Sequence, residues 1–181
     1  MTEHERRTGL LLAIARDALT WPSGDGALTH SDEPWLQERA ATFVTLKLDG
    51  ELRGCIGSIE AVRPLAEDVR ANARAAAFRD PRFPPVDPDE VLGLEVEVSV
   101  LSPRERLAVA SEAEALAALR PGIDGVLLEY DGRRATFLPQ VWEAIPDPGV
   151  FLSQLRLKAD LPAGFWHPAI CLSRYTVEKY R

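Results

Sequence analysis

Only two thiols occur in this 181-residue chain, Cys55 and Cys171, and the first stands in a run that could alter its reactivity, Leu52-Arg53-Gly54-Cys55-Ile56-Gly57. In a regular strand alternate side chains share a face, so Arg53, Cys55 and Gly57 point one way while Leu52, Gly54 and Ile56 point the other. A guanidinium beside a thiol favours the thiolate, which is the nucleophilic form, and this spacing makes Cys55 a candidate catalytic nucleophile activated by Arg53. Gly54 and Gly57 remove side chains that would block close approach by a ligand or by another backbone. A plainer reading stands beside this one. Cys55 is then a small buried hydrophobe, the two glycines accommodate a bulge or tight helix packing, and Arg53 is an ion-paired surface residue. No histidine lies close in sequence to act as a base, which leaves His167 as the one that could approach in space.

A second constellation is Asp80-Pro81-Arg82-Phe83-Pro84-Pro85. Its prolines make a stiff loop that can present the Arg82 guanidinium to an anion or a partner, with Asp80 and Phe83 beside it. The alternative is an Asp80–Arg82 ion pair that seals a helix end. Glu95 and Glu97 fall on one face of a strand, where they line a cleft, bind a cation or simply meet solvent. His4, His30 and His167 share no ligand spacing, and two distant cysteines form no zinc motif, so no metal is expected. Gly122-Ile123-Asp124-Gly125 lacks both a phosphate-loop lysine and dinucleotide-fold glycine spacing, and it reads as a turn. No cofactor is implied.

The elements that must position these residues follow from periodicity. Thr2 and Glu5 have capping-box spacing ahead of Leu10, Leu11, Ile14, Ala18 and Leu19, which predicts a first helix. The stretch from Trp21 to Pro34 has the composition of a surface loop and is the segment expected to move most. Thr42–Leu48 and Glu51–Ile59 flank Asp49-Gly50, a strong hairpin signal that puts Cys55 on the second arm. Pro64 suits a helix start, Glu67 and Asp68 suit its positive end, and Leu65, Val69, Ala73 and Ala76 recur on one side up to the proline-rich loop. Clean alternation predicts a half-buried strand over Leu92–Val100, with Leu92, Leu94, Val96, Val98 and Val100 on one face. Ser111 and Glu114 cap a short helix to about Leu119, and Gly125–Tyr130 with Arg133–Leu138 form a second Asp-Gly hairpin. Helices at Val141–Ile145 and Val150–Lys158 and a final strand from Ile170 to about Val177 complete an α+β fold with a largely antiparallel sheet. The length suits one compact domain over residues 1–181 or two intimately packed lobes.

Composition narrows the class. Hydrophobic residues make up 46% and charged residues 27%, which supports a folded core and argues against disorder. A formal charge of −7 with scattered arginines would repel a phosphate backbone, so nucleic acid is a poor ligand. The first residues, acidic and followed by only a short apolar run, are unlike a signal peptide or membrane span, and a cytoplasmic chain with free thiols is expected.

The ordered segments Leu52–Gly57, Asp80–Pro85, Glu95–Leu101, Gly122–Val126, Ala135–Trp142, Phe151-Leu152 and Leu155–Lys158 together resemble the AMMECR-type domain family across nearly the whole chain. Ser58, where threonine is expected, and Ala159-Asp160, where alanine-glycine is expected, depart from the pattern. In bacteria and archaea the family is similar to the A component of the AmmeMemoRadiSam system. That resemblance implies a Memo-like protein and a radical S-adenosylmethionine protein as partners, any iron–sulfur cluster being the partner's. It implies an accessory or modifying component with a cleft around the Leu52–Gly57 strand and with Arg53, Gly54, Gly57, Asp80, Arg82 and Phe83 on a ligand or partner surface. The alternatives are a non-catalytic protein-interaction module and an RNA-binding domain.

Overall fold

Both Asp-Gly pairs turn the chain as their composition dictates. Asp49 and Gly50 have φ of 53° and 80°, and Asp131 and Gly132 have 48° and 76°. Positive φ at both central residues belongs to the hairpin turn whose twist matches that of its strands. The computed structural model describes residues 2–20 and 33–181. The loop expected over Trp21–Pro34 lies outside the described residues apart from Glu33 and Pro34, and Pro34 opens a short 3-10 turn, Pro34–Gln37. The chain divides into two compact units, one reaching Leu101 and taking in Glu178–Arg181, the other running from Ser102 to Val177.

In the first unit, α1 (Glu3–Leu19) starts at Thr2, whose hydroxyl accepts from the Glu5 amide while the Glu5 carboxylate accepts from the Thr2 amide. Strands β1 (Arg39–Leu48), β2 (Glu51–Gly57), β3 (Arg63–Pro64) and β4 (Leu94–Leu101) surround α2 (Leu65–Phe78) in sequence. The sheet order is β2-β1-β4 followed by the last strand, β9 (Val177–Tyr180), with β3 paired to β1. Inward residues Val44, Leu46, Val96 and Val98 meet Leu11, Ile14, Val69 and Ala73 of the two helices. Burying such side chains contributes about 1.5–3 kcal/mol each. The small residues Ala73, Ala76 and Ala77 let α2 lie close on the sheet, and an added Cβ at Gly54 would sit 2.1 Å from the Ala76 carbonyl oxygen. Gly54 is therefore the point where strand and helix backbones meet.

A buried polar knot fixes that helix. The Asp68 carboxylate, fully buried, accepts from the Thr42 amide and hydroxyl, the Ser58 hydroxyl, the Asn72 amide and the Arg63 guanidinium. Asn72 also donates to the Thr42 carbonyl. A buried carboxylate is tolerated because its lone pairs are filled. Asp68 does more than offset a helix dipole, the role its sequence position suggests. Ser58, where threonine is expected, supplies a hydroxyl to this knot.

The second unit holds β5 (Glu105–Arg106), α3 (Glu112–Ala118), β6 (Gly125–Tyr130), β7 (Arg133–Phe137), α4 (Val141–Ala144), α5 (Pro148–Lys158) and β8 (Cys171–Tyr175). Its sheet order is β5-β8-β6-β7, with antiparallel pairings. Trp142 stacks on Phe151 at 3.7 Å between ring centroids, inside a core that includes Leu128, Leu152, Leu155 and Leu172. Tyr175 fills the space a side chain at Gly125 would need, bonds Thr136 Oγ1 at 2.7 Å, and has its phenol pushed up to about 12 by burial.

Two boundary expectations change. The single terminal strand is two strands in different sheets, broken at Thr176. The strand expected from Leu92 begins at Leu94, because Val91–Gly93 forms a 3-10 turn, and Leu92 is 95% exposed instead of facing the core.

Candidate functional site

Cys55 lies on the face of the first sheet away from Val44 and Leu46. It pairs with Thr45 across β1 and β2, and its Sγ is 3.3 Å from Thr45 Oγ1. The Cys55 amide and carbonyl bond outward and not to Thr45, which makes this a non-hydrogen-bonded pair, the kind in which side chains approach most closely. The thiol is half-buried and free. Gly57, opposite Phe43 in the same register, leaves room for the Phe43 ring, since a Cβ there would come within 2.2 Å of it.

The expected activation of Cys55 by Arg53 is corrected by the register. Gly54 pairs with Leu46 and Leu52 with Lys47, so Arg53 is the extra residue of a β-bulge and leaves the simple alternation. All three of its guanidinium nitrogens are engaged elsewhere. Nε and Nη2 grip the Glu90 carboxylate at 2.9 and 2.8 Å, while Nη1 and Nη2 donate to the carbonyls of Pro84 and Pro85. Bidentate capture holds the Glu90 carboxyl down at about 2, helped by the Asp87 amide. Arg53 thus braces β2 against the proline-rich loop.

The cation that accompanies the thiol is Arg82. Asp80, buried at the end of α2, accepts from the Arg82 amide, Nε and Nη2 and from the Cys55 amide at 2.9 Å. Arg82 Nη2 in turn donates to the Cys55 carbonyl at 3.1 Å. Hydrogen bonding to Arg82, chiefly, holds the Asp80 carboxyl far below the usual range, against the opposing effect of burial. Asp80 raises the Arg82 guanidinium, and Cys55 adds to that rise. Arg82 lies over the Phe83 ring at 5.5 Å, and among the described residues its Nη1 has no hydrogen-bond partner. The ion pair expected to seal the helix end exists, and it also reaches the thiol strand.

One row crosses the sheet at this level, Cys55 to Thr45 to Glu97, each pair in direct register. Glu97 is approached by Lys179 at 3.4 Å and Arg181 at 3.8 Å. Thr45, Lys47, Glu95, Val96, Glu97 and Arg181 line a depression of about 120 Å³. Glu95 and Glu97 both line this depression. No group of three or more His, Cys, Asp or Glu side chains among the described residues is arranged to hold a metal ion. His167 meets Tyr130 at a tilt and stacks with Phe165 in the second unit, and Lys158 at the end of α5 donates to the Thr136 carbonyl.

Sequence reasoning missed Thr45, Lys47 and Glu90 as members of this surface. Thr45 was legible as a direct cross-strand neighbour once the Asp49-Gly50 turn fixed the hairpin. Glu90 was not, because the bulge that turns Arg53 towards it leaves no compositional trace.

The AMMECR1 family model matches residues 12–180. The chain belongs to the AMMECR1 family. A Thermotoga maritima relative is 42% identical over 151 residues, covering 82% of this chain and 82% of its own length. A Methanopyrus kandleri relative is 38% identical over 171 residues, covering 89% of this chain and 81% of its own. The crystal structure of the uncharacterized protein PH0010 from Pyrococcus horikoshii is similar with a TM-score of 0.79 and 32% identity, over 93% of this chain and 88% of that one. The family assignment and the α+β fold expected from the ordered segments therefore stand. No helix among the described residues is long and apolar enough to cross a membrane.

Proposed function

We propose that this AMMECR1-family chain is a cytoplasmic accessory or modifying component acting with Memo-like and radical S-adenosylmethionine partners, through a surface centred on Cys55. The observation that carries this reading is the assembly on one strand edge of a half-exposed thiol, the Thr45 hydroxyl and an Arg82 guanidinium whose Nη1 has no hydrogen-bond partner among the described residues. A cation beside a thiol lowers the cost of thiolate, and a free guanidinium nitrogen can hold an anionic group next to it. The test is the rate of Cys55 alkylation across pH in folded chain carrying Cys171→Ser. Alkylation faster than a model thiol below pH 8 supports the reading, and an equal rate removes activation.

A second reading, a non-catalytic docking module, is favoured by Leu52 and Leu92. They are 41% and 95% exposed and flank the Arg53–Glu90 brace in sequence. Exposed leucines held beside a rigid brace suit a protein partner. Leu52→Asp with Leu92→Asp should abolish binding to a purified Memo-like protein, and retained binding would discard this surface.

A further inference from the structure

We infer that the depression beside Thr45 is a binding site for a small zwitterion of the α-amino-acid class, its carboxylate held by Lys47 and its ammonium by Glu95. This deepens the Cys55 reading and rests on it for placing such a ligand in reach of the thiol. The two charged groups stand directly opposite each other on β1 and β4, both facing the depression. Cα atoms so paired lie about 4.5–5.5 Å apart, close enough for one small molecule to touch both side chains. Yet neither side chain makes a hydrogen bond or ion pair among the described residues, whereas Glu97 beside them is engaged by Lys179 and Arg181.

Opposite charges facing each other in a cleft ordinarily neutralise one another. Here the open pair leaves one donor set and one acceptor set side by side in the same hollow. A simple anion meets Lys47 and Arg181 but also the carboxylates of Glu95 and Glu97, and it leaves Glu95 unsatisfied. A simple cation satisfies only Glu95 and meets the ammonium of Lys47. A zwitterion satisfies both, and the 120 Å³ volume limits it to few heavy atoms. Thr45 lies at the wall of the hollow with its hydroxyl against Cys55 Sγ, so a ligand seated there abuts the thiol row.

The experiment uses the full chain, ¹⁵N-labelled, titrated at low salt with glycine and separately with acetate and with methylammonium. Glycine is expected to shift the amides of residues 45–47 and 95–97 at concentrations roughly two- to fivefold below either half-molecule, the gain of one exposed ion pair. Lys47→Ala and Glu95→Ala should each remove that preference while leaving thermal unfolding unchanged. Equal response to all three probes, or shifts confined elsewhere, overturns the inference and shows Lys47 and Glu95 to be solvated or mutually paired. Cys55→Ser separates the two readings. Glycine binding that survives Cys55→Ser beside an unreactive wild-type thiol leaves the cleft standing without the thiol role. An activated thiol with no glycine preference leaves the thiol role without the cleft.

Discussion

Arg53 and Arg82 hold the same strand by opposite means. Arg53 spends its guanidinium on Glu90 and two proline carbonyls, and its side chain is 13% exposed. Arg82 is gripped along one edge by Asp80, remains 54% exposed, donates from Nη2 to the Cys55 carbonyl, and has no hydrogen-bond partner for Nη1 among the described residues. The comparison teaches that a saturated arginine is a brace, whereas an arginine oriented by a buried carboxylate can present charge outward. Sequence distance to the thiol is a poor guide to which is which. The residue two positions away is directed elsewhere, and the one 27 positions away donates to the cysteine's own carbonyl.

The sharpest way to break this comparison is to displace the strand both arginines serve. Gly54→Ala sets a methyl against the Ala76 carbonyl, a backbone atom that cannot rotate away. It should cost about 3 kcal/mol or more by denaturant unfolding, and the thiol should lose any distinctive alkylation rate with it. Asp80→Ala comes next. It unpairs the Cys55 and Arg82 amides and frees the guanidinium, and a loss of about 2 kcal/mol is expected after allowing for the exposure of Arg82.

Acid titration sharpens the contrast further. Asp80 and Glu90 both have carboxyl groups depressed in the folded chain, the former chiefly by Arg82 and the latter chiefly by Arg53. A depressed carboxyl stabilises the fold above its unfolded value, and the contribution fades as pH falls through the folded one. For Glu90 that window runs from the ordinary 4.5 down to about 2. Glu90→Gln should flatten the acid limb of stability over that range, and Asp80→Asn should flatten the part extending lower, both read from unfolding midpoints against pH. An unchanged limb in Glu90→Gln would mean the brace contributes nothing.

The smallest effect discriminates best. Arg82→Ala should slow Cys55 alkylation about fivefold at neutral pH, the size of one exposed charge contact, while Arg53→Ala leaves the rate of the folded fraction within about twofold. Reversal of that order would restore Arg53 as the activating residue.

Much of the scaffold was legible because it is local. The two Asp-Gly turns, the Thr2 and Ser111 caps and the alternation of Leu94 to Val98 are written in neighbouring residues, and the structure keeps them. The polar knot at Asp68 was only half legible. Asp68 and Asn72, one turn apart on the stripe of Leu65, Val69 and Ala76, mark polar residues on an apolar face, but their partners Thr42 and Ser58 come from other segments. Leu92 misled because the alternation extends two residues back from Leu94 into a 3-10 turn. The site was least legible where it depends on one extra residue: the bulge at Arg53 changes the arginine's role without changing composition.

The position of β2 gives the Asp80–Arg82 pair one more consequence. β2 is the edge of its sheet, and an open edge offers unpaired amides and carbonyls to any passing strand. Asp80 takes the outward amide of Cys55 and Arg82 takes its outward carbonyl, so together two side chains imitate the contacts of an absent neighbouring strand. The thiol is thereby displayed at a border already occupied. A chain stripped of Asp80 should self-associate through β2 as well as lose stability, because the same substitution reopens the edge.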